Sequence, residues 1–179
     1  MKYWFTLIIA TMLSLPLMAL EVGQKAPDFT LQGTDGKSHA LRDYVGKTAV
    51  VIAWYPRAFT KNCTIECRSL AKNGHKIRAF NVTYFMASTD KLDENIRFSK
   101  YNSADFPLLS DPTGEVAKAY GVLIPIIKLA RRVTIYIGKG GTILKIDKDI
   151  NPATSAEDIA SNLAKLGVEK IENAERVEQ

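Results

Sequence analysis

The sequence has few side chains that hold metals: two histidines, His39 and His75, and two cysteines, Cys63 and Cys67. No ligand cluster and no phosphate-binding glycine loop occurs, so no metal, haem, flavin or nucleotide cofactor is indicated. Arginine-rich runs and basic stripes interleaved with aromatics are also missing, which leaves nucleic-acid binding without support. Internal repeats and low-complexity tracts are absent. The formal charge is a modest +5, with Lys and Arg scattered among Asp and Glu, and charge of that size names no partner.

What is present is an ordinary globular balance. The 179 residues are 46% hydrophobic and 24% charged, enough for one domain with a sizeable core and too apolar for a mostly disordered chain. The first residues read differently from the rest. Lys2 precedes an almost unbroken apolar run from Trp4 to Leu17, and Pro16, Met18 and Ala19 lead to a cleavage site before Leu20. The run is shorter than the ~20 residues of a membrane span. Residues 1–19 are therefore expected to be a cleaved signal peptide, with export, most simply to a periplasm, and no stable membrane association after processing. No cysteine lies at the site to carry a lipid anchor. An uncleaved membrane anchor is the alternative.

In an exporting context cysteines usually staple distant segments. Cys63 and Cys67 stand four positions apart, so a bridge between them closes a tiny loop and stabilises the fold little. Such a pair points to redox chemistry or metal binding.

Residues 20–168 are expected to form the domain, and 169–179 a charged tail. A short hairpin is expected around Asp35-Gly36-Lys37. TAVVIAWY (48–55) reads as a buried strand and Val82 to Ala87 as a second. Helical spacing runs from Cys63 to about Phe80, and again from Asp90 to Tyr101 with a cap near Asp90. Asp111 to Gly114 is a turn into a short helix ending near Tyr120-Gly121. Val133 to Ile137 is a third strand, and Gly140-Gly141 turns the chain into Ile143 to Ile146. Asn151-Pro152 breaks the chain before a last helix, capped by Ser155 and running to about Leu166. Strands alternating with helices predict an α/β fold whose central mixed β-sheet is flanked by helices on both faces, in the manner of thioredoxin.

The segment after the first buried strand reads PRAFTKNCTIEC, from Pro56 to Cys67. A cysteine just past a strand and at the start of a helix meets free amide donors and the positive end of the helix dipole, and both favour the thiolate. Thr60, Lys61, Asn62 and Thr64 make its surroundings polar, unlike those of a structural cysteine.

Pro56-x-x-x-Thr60-x-x-Cys63 resembles the active-site signature of the peroxiredoxin (AhpC/TSA) family in residue types and spacing. Cys-Thr-x-Glu at 63–66 is similar to the bacterioferritin-comigratory, or Q-type, branch. Resemblance extends to VGQKAPDFTL near position 22, FPLLSDPTGEVAKAYGV at 106–122 and RVTIYIGKGG at 132–141. It implies a thioredoxin-like fold and a thiol peroxidase acting on hydrogen peroxide and organic hydroperoxides. Cys63 would be the peroxidatic nucleophile, oxidised to a sulfenic acid. Thr60 would offer its hydroxyl to sulfur and substrate, Pro56 would shield the pocket, and Arg132 would steady the thiolate and the polarised peroxide. Glu66 would orient an arginine. Arg131 is adjacent to Arg132, and alternation along a strand would point the two opposite ways. The implied partners are a hydroperoxide, a thioredoxin-like protein or small thiol as reductant, and at most a weak dimer.

The Q-type branch commonly places its resolving cysteine five residues after the nucleophile, whereas Cys67 follows by four. Residues four apart on a helix have Cβ atoms ~5–6 Å apart. A disulfide needs about 3.8 Å, so a Cys63–Cys67 bond requires the first turn to unwind. Either Cys67 resolves the sulfenic acid that way, or it is a small buried hydrophobe and an external thiol resolves it. Two other functions compete. A thioredoxin-like disulfide reductase would use Cys-x-x-Cys and place a proline where Val133 stands. A copper-binding assembly protein would use Cys-x-x-x-Cys plus a late histidine, but here no histidine follows His75, and both histidines are expected at the surface.

Overall fold

A computed structural model describes residues 20–171 of the chain, so the expected leader and residues 172–179 lie outside the described residues. Two short strands, β1 (Thr30–Gly33) and β2 (Ser38–Ala40), form the expected hairpin. They are followed by β3 (Ala49–Trp54), α1 (Lys61–Arg78), β4 (Val82–Ser88), α2 (Leu92–Tyr101), β5 (Leu108–Ser110) and α3 (Glu115–Ala119). The chain then runs through β6 (Leu123–Ile124), β7 (Leu129–Ala130), β8 (Val133–Ile137), β9 (Ile143–Asp147) and α4 (Ser155–Lys165).

Seven strands make one mixed sheet in the order β2-β1-β5-β4-β3-β8-β9. β4 runs parallel to both β3 and β5, while β8 lies antiparallel to β3 and to β9. β3 is buried along its whole length, as its continuous apolar run requires of a central strand covered on both faces. Alternation then divides its side chains between two cores. Val51, Ala53 and Tyr55 pack with Cys63, Cys67, Leu70, Met86, Tyr136 and the α4 residues Ile159 and Leu163. Val50, Ile52 and Trp54 pack on the other face with Phe85, Ala117 and Tyr120 around α3. The helices therefore cover both faces, as expected for the thioredoxin-like architecture.

Several local expectations are corrected. Asp90 does not cap α2, whose N-cap is Lys91; its carboxylate instead accepts from the Ala58 amide (2.8 Å) and the Ser88 hydroxyl (3.0 Å). Thr154 rather than Ser155 occupies the N-cap of α4, and Ser155 is buried in the first turn against α1. His39 is not a surface residue. It is buried, with Nδ1 2.6 Å from the Tyr44 hydroxyl and Nε2 3.0 Å from Asp35. His75 is exposed near the end of α1, as expected. The small hairpin β6–β7 was not foreseen, because Leu-Ile-Pro-Ile-Ile carries no alternation to mark strands.

At residues 169–171, where the tail was expected to begin, the chain is tied back to the end of α1. The Asn81 amide donates to Glu169 O at 2.7 Å and the Ile171 amide to Ala79 O at 2.9 Å.

Candidate active site

β3 keeps its pairing one residue past its end, with the Tyr55 amide donating to Ala87 O at 2.9 Å. Pro56, half-buried, then removes a donor and ends the ladder. The loop from Arg57 to Thr60 is held in place rather than loose. Asp90 grips the Ala58 amide, and Asp90 is itself tied through Ser88 to Asn95, which accepts from the buried Tyr55 hydroxyl at 2.6 Å. Phe59 adopts a left-handed backbone (φ 62°), an uncommon state for a non-glycine residue, and its ring packs edge-on against Phe98 at 5.2 Å.

Thr60 is extended (φ −79°, ψ 153°) and forms the N-cap of α1. The first helical hydrogen bond runs from the Thr64 amide to Thr60 O, so the amides of Lys61, Asn62 and Cys63 have no intrahelical acceptor. Cys63 therefore sits in the first turn, at the positive end of an eighteen-residue helix. The sulfur is almost fully enclosed and accepts from Arg132 Nη2 at 3.0 Å.

The same guanidinium spans to a second group. Arg132 Nη1 pairs with Glu66 Oε2, one helical turn after Cys63, so one planar fork joins sulfur and carboxylate. Glu66 is wholly buried, and burial pushes its carboxyl up to about 7 although the Arg132 charge pulls the other way. Its Oε1 makes no hydrogen bond among the described residues, although the Ser155 hydroxyl lies near enough to favour the charged form.

Of the residues the sequence singled out, Cys63, Glu66 and Arg132 are joined by direct contacts. Thr60 precedes them on the cap, but its hydroxyl donates to Arg57 O at 3.0 Å rather than to the sulfur, leaving oxygen lone pairs free. Cys67 is on the same helix and fully buried. Burial pushes its thiol up to about 12, with the Glu66 charge adding to the shift. Both cysteines are free thiols. Arg131 points away from this cluster, as strand alternation predicts. Sequence reasoning missed the Tyr55–Ser88–Asp90–Asn95 network. Its members come from two strand ends and a helix, and the one visible signal, Asp90, reads equally well as a helix cap.

The rival readings find little here. His39 is committed to Asp35 and Tyr44, and His75 projects from the far end of α1, so neither histidine is placed to share copper with the cysteines.

A sequence profile described as the AhpC/TSA family matches residues 22–146. The chain belongs to this family. Peroxiredoxin Bcp of Escherichia coli K12 is 34% identical over 103 residues, covering 58% of this chain and 65% of that protein. Peroxiredoxin bcp1 of Schizosaccharomyces pombe is 33% identical over 139 residues, covering 77% of this chain and 71% of its own. The match thus spans just under two thirds of the Escherichia coli relative. Among solved structures, peroxidoxin BcpB of Mycobacterium tuberculosis superposes with a TM-score of 0.72 at 26% identity, over 82% of this chain and 97% of that one. A peroxiredoxin Q of Xanthomonas campestris gives 0.72 at 22% identity, over 82% and 96%, which supports the fold. This AhpC/TSA member therefore carries its cysteine pair on a thioredoxin-like scaffold shared with Bcp and peroxiredoxin Q proteins.

Proposed function

We propose that the protein is a thiol-dependent peroxidase that reduces hydrogen peroxide and organic hydroperoxides through Cys63. The observation that carries this reading is the Cys63 sulfur at the start of α1, 3.0 Å from Arg132 Nη2. The thiolate attacks one peroxide oxygen, an S–O bond forms and the O–O bond breaks. The departing oxygen takes a proton and leaves as water or alcohol, and the sulfur becomes a sulfenic acid. Arg132 stabilises negative charge as it moves from sulfur to the departing oxygen, and Glu66 holds the guanidinium in that position. Thr60, with its hydroxyl proton committed to Arg57 O, presents lone pairs to the peroxide proton. Pro56 shields the pocket.

In the second step Cys67 condenses with the sulfenic acid, releasing water and forming a disulfide. Both residues are buried on an unbroken helix, so this step needs the first turns of α1 to unwind. A second reading, resolution by an external thiol, is supported by the complete burial of Cys67 and the high value of its thiol. A thioredoxin-like protein or a small thiol then returns the enzyme to its reduced form. The leader supports export to a periplasm, with an exported reductant and a monomer or weak dimer there; cell fractionation showing the protein in the cytoplasm would remove that part.

The deciding experiment follows peroxide consumption with dithiothreitol for wild type, Cys63→Ser and Cys67→Ser. Activity must vanish in Cys63→Ser; wild type no faster than that variant sinks the proposal. Mass spectrometry after one equivalent of peroxide separates the two second steps. A loss of two hydrogens marks the internal disulfide, and a trapped sulfenic acid in wild type marks the external thiol.

A further inference from the structure

Arg131 and Arg132 are chain neighbours that face opposite sides of the sheet. Arg132 serves Cys63, whereas Arg131 borders a cavity of about 530 Å³ on the α3 side, together with Lys148. Its apolar surface comes from the half-buried Leu20, at the start of the described chain, and Ile146 of β9, over a floor of buried Tyr120, Val122 and Val133, with the Gly121 backbone beside them. Among the described residues no acidic side chain lines it. Arg131 and Lys148 are exposed, and among the described residues neither side chain makes an ion pair or hydrogen bond. The charged partners seen elsewhere, such as Asp28 with Arg42 and Asp147 with Lys145, are already taken.

A concave, largely apolar pocket of a few hundred Å³ with a small number of convergent polar groups is the usual form of a small-molecule site. Here the polar groups are both cations. We propose that this cavity binds an amphipathic monoanion, an acyl-chain carboxylate, with its carboxylate at Arg131 and Lys148 and its tail along Leu20 and Ile146. The guanidinium fork matches a carboxylate in a two-point contact, and the apolar walls take the hydrocarbon. The site lies across the sheet from Cys63 and stands independently of the peroxidase reading.

The test is calorimetric titration of the purified protein with decanoate below its micelle concentration, beside decanol and acetate. Decanoate should bind saturably, and acetate and decanol should each bind about tenfold more weakly or worse. Arg131→Gln should weaken decanoate by about tenfold or more and leave peroxide turnover unchanged, because this side chain does not touch Cys63. Lys148→Gln should weaken it less, and Cys63→Ser should bind as wild type. Both cations are exposed, so neither variant threatens folding. No saturable heat with decanoate, equal binding of decanol, or unchanged affinity in the Arg131→Gln, Lys148→Gln double variant would overturn the proposal. So would a dimer, seen by sedimentation, that closes the cavity and blocks decanoate.

Discussion

Glu66 is a carboxyl with no exposed surface and, among the described residues, a single charged partner, Arg132. Burial raises it from an ordinary 4.5 to about 7, so between those values the folded protein holds a proton that the unfolded chain has released. That stability is complete below the unfolded value and is lost as pH rises through the folded one. Wild type should therefore lose thermal stability relative to Glu66→Gln between about pH 4.5 and pH 7; parallel melting curves across that range would refute the assignment. Arg132 is the second residue whose geometry matters. Lysine keeps the charge but cannot hold sulfur and carboxylate with one planar group. Arg132→Lys should lower kcat/KM for peroxide by roughly 10²-fold, measured by stopped flow, with a far smaller change in melting temperature. Neither contact is visible as a pair in the sequence, since positions 66 and 132 are brought together by the antiparallel pairing of β3 with β8. The family resemblance names Arg132 as the partner of the Cys63 thiolate and Glu66 as the holder of an arginine, and leaves open which arginine Glu66 holds.

At the scale of elements, α1 carries Cys63, Glu66 and Cys67 and is pressed closely onto the sheet. A Cβ added at Gly74 would collide with the Tyr84 hydroxyl of β4, which itself accepts from Arg78. Alanine is a better helix former than glycine, but the collision outweighs that gain. Gly74→Ala should cost about 1–3 kcal/mol in denaturant unfolding, and Tyr84→Phe in the same chain should recover part of it. A stabilised Gly74→Ala would show that the approach is not close. The loop before α1 depends on Asp90. Asp90→Ala leaves the amide of buried Ala58 without its acceptor and should cost about 1–3 kcal/mol, with a fall in peroxide turnover as Thr60 and Cys63 lose their fixed support. Element types and most boundaries were legible because buried strands and amphipathic helices leave strong periodic signals. Caps were less so. Asp90 and Ser155 both look like N-caps locally, but Asp90 is taken by the distant Ala58 amide and Ser155 is buried in the first turn of its helix.

Across the whole molecule the sheet separates two cores. One encloses both cysteines between β3, α1 and α4, and the other lies under α3 and opens into the cavity beside Arg131. Residues 169–171 close the cysteine side by pairing with 79–81, fixing the end of α1 to the chain's last described segment. A chain ending at Val168 should melt lower than one ending at Ile171, by about 1–2 kcal/mol of unfolding free energy, with faster hydrogen exchange at Asn81. Equal stabilities would make that pairing incidental.

The order of the longer strands and helices, the two-sided burial of the sheet and the placing of Cys63 just after a strand were determined by the sequence alone, without the short strands β5, β6 and β7. Each is written in local periodicity or in a motif of fixed spacing. Tertiary structure decided that Arg132 reaches the sulfur while Arg131 faces the other core. It decided also that Asp90 holds the Ala58 amide, that His39 is buried, and that Cys67 lies deep beneath its helix. These depend on which strands pair and in what register, and a one-residue change of register exchanges the two faces of a strand.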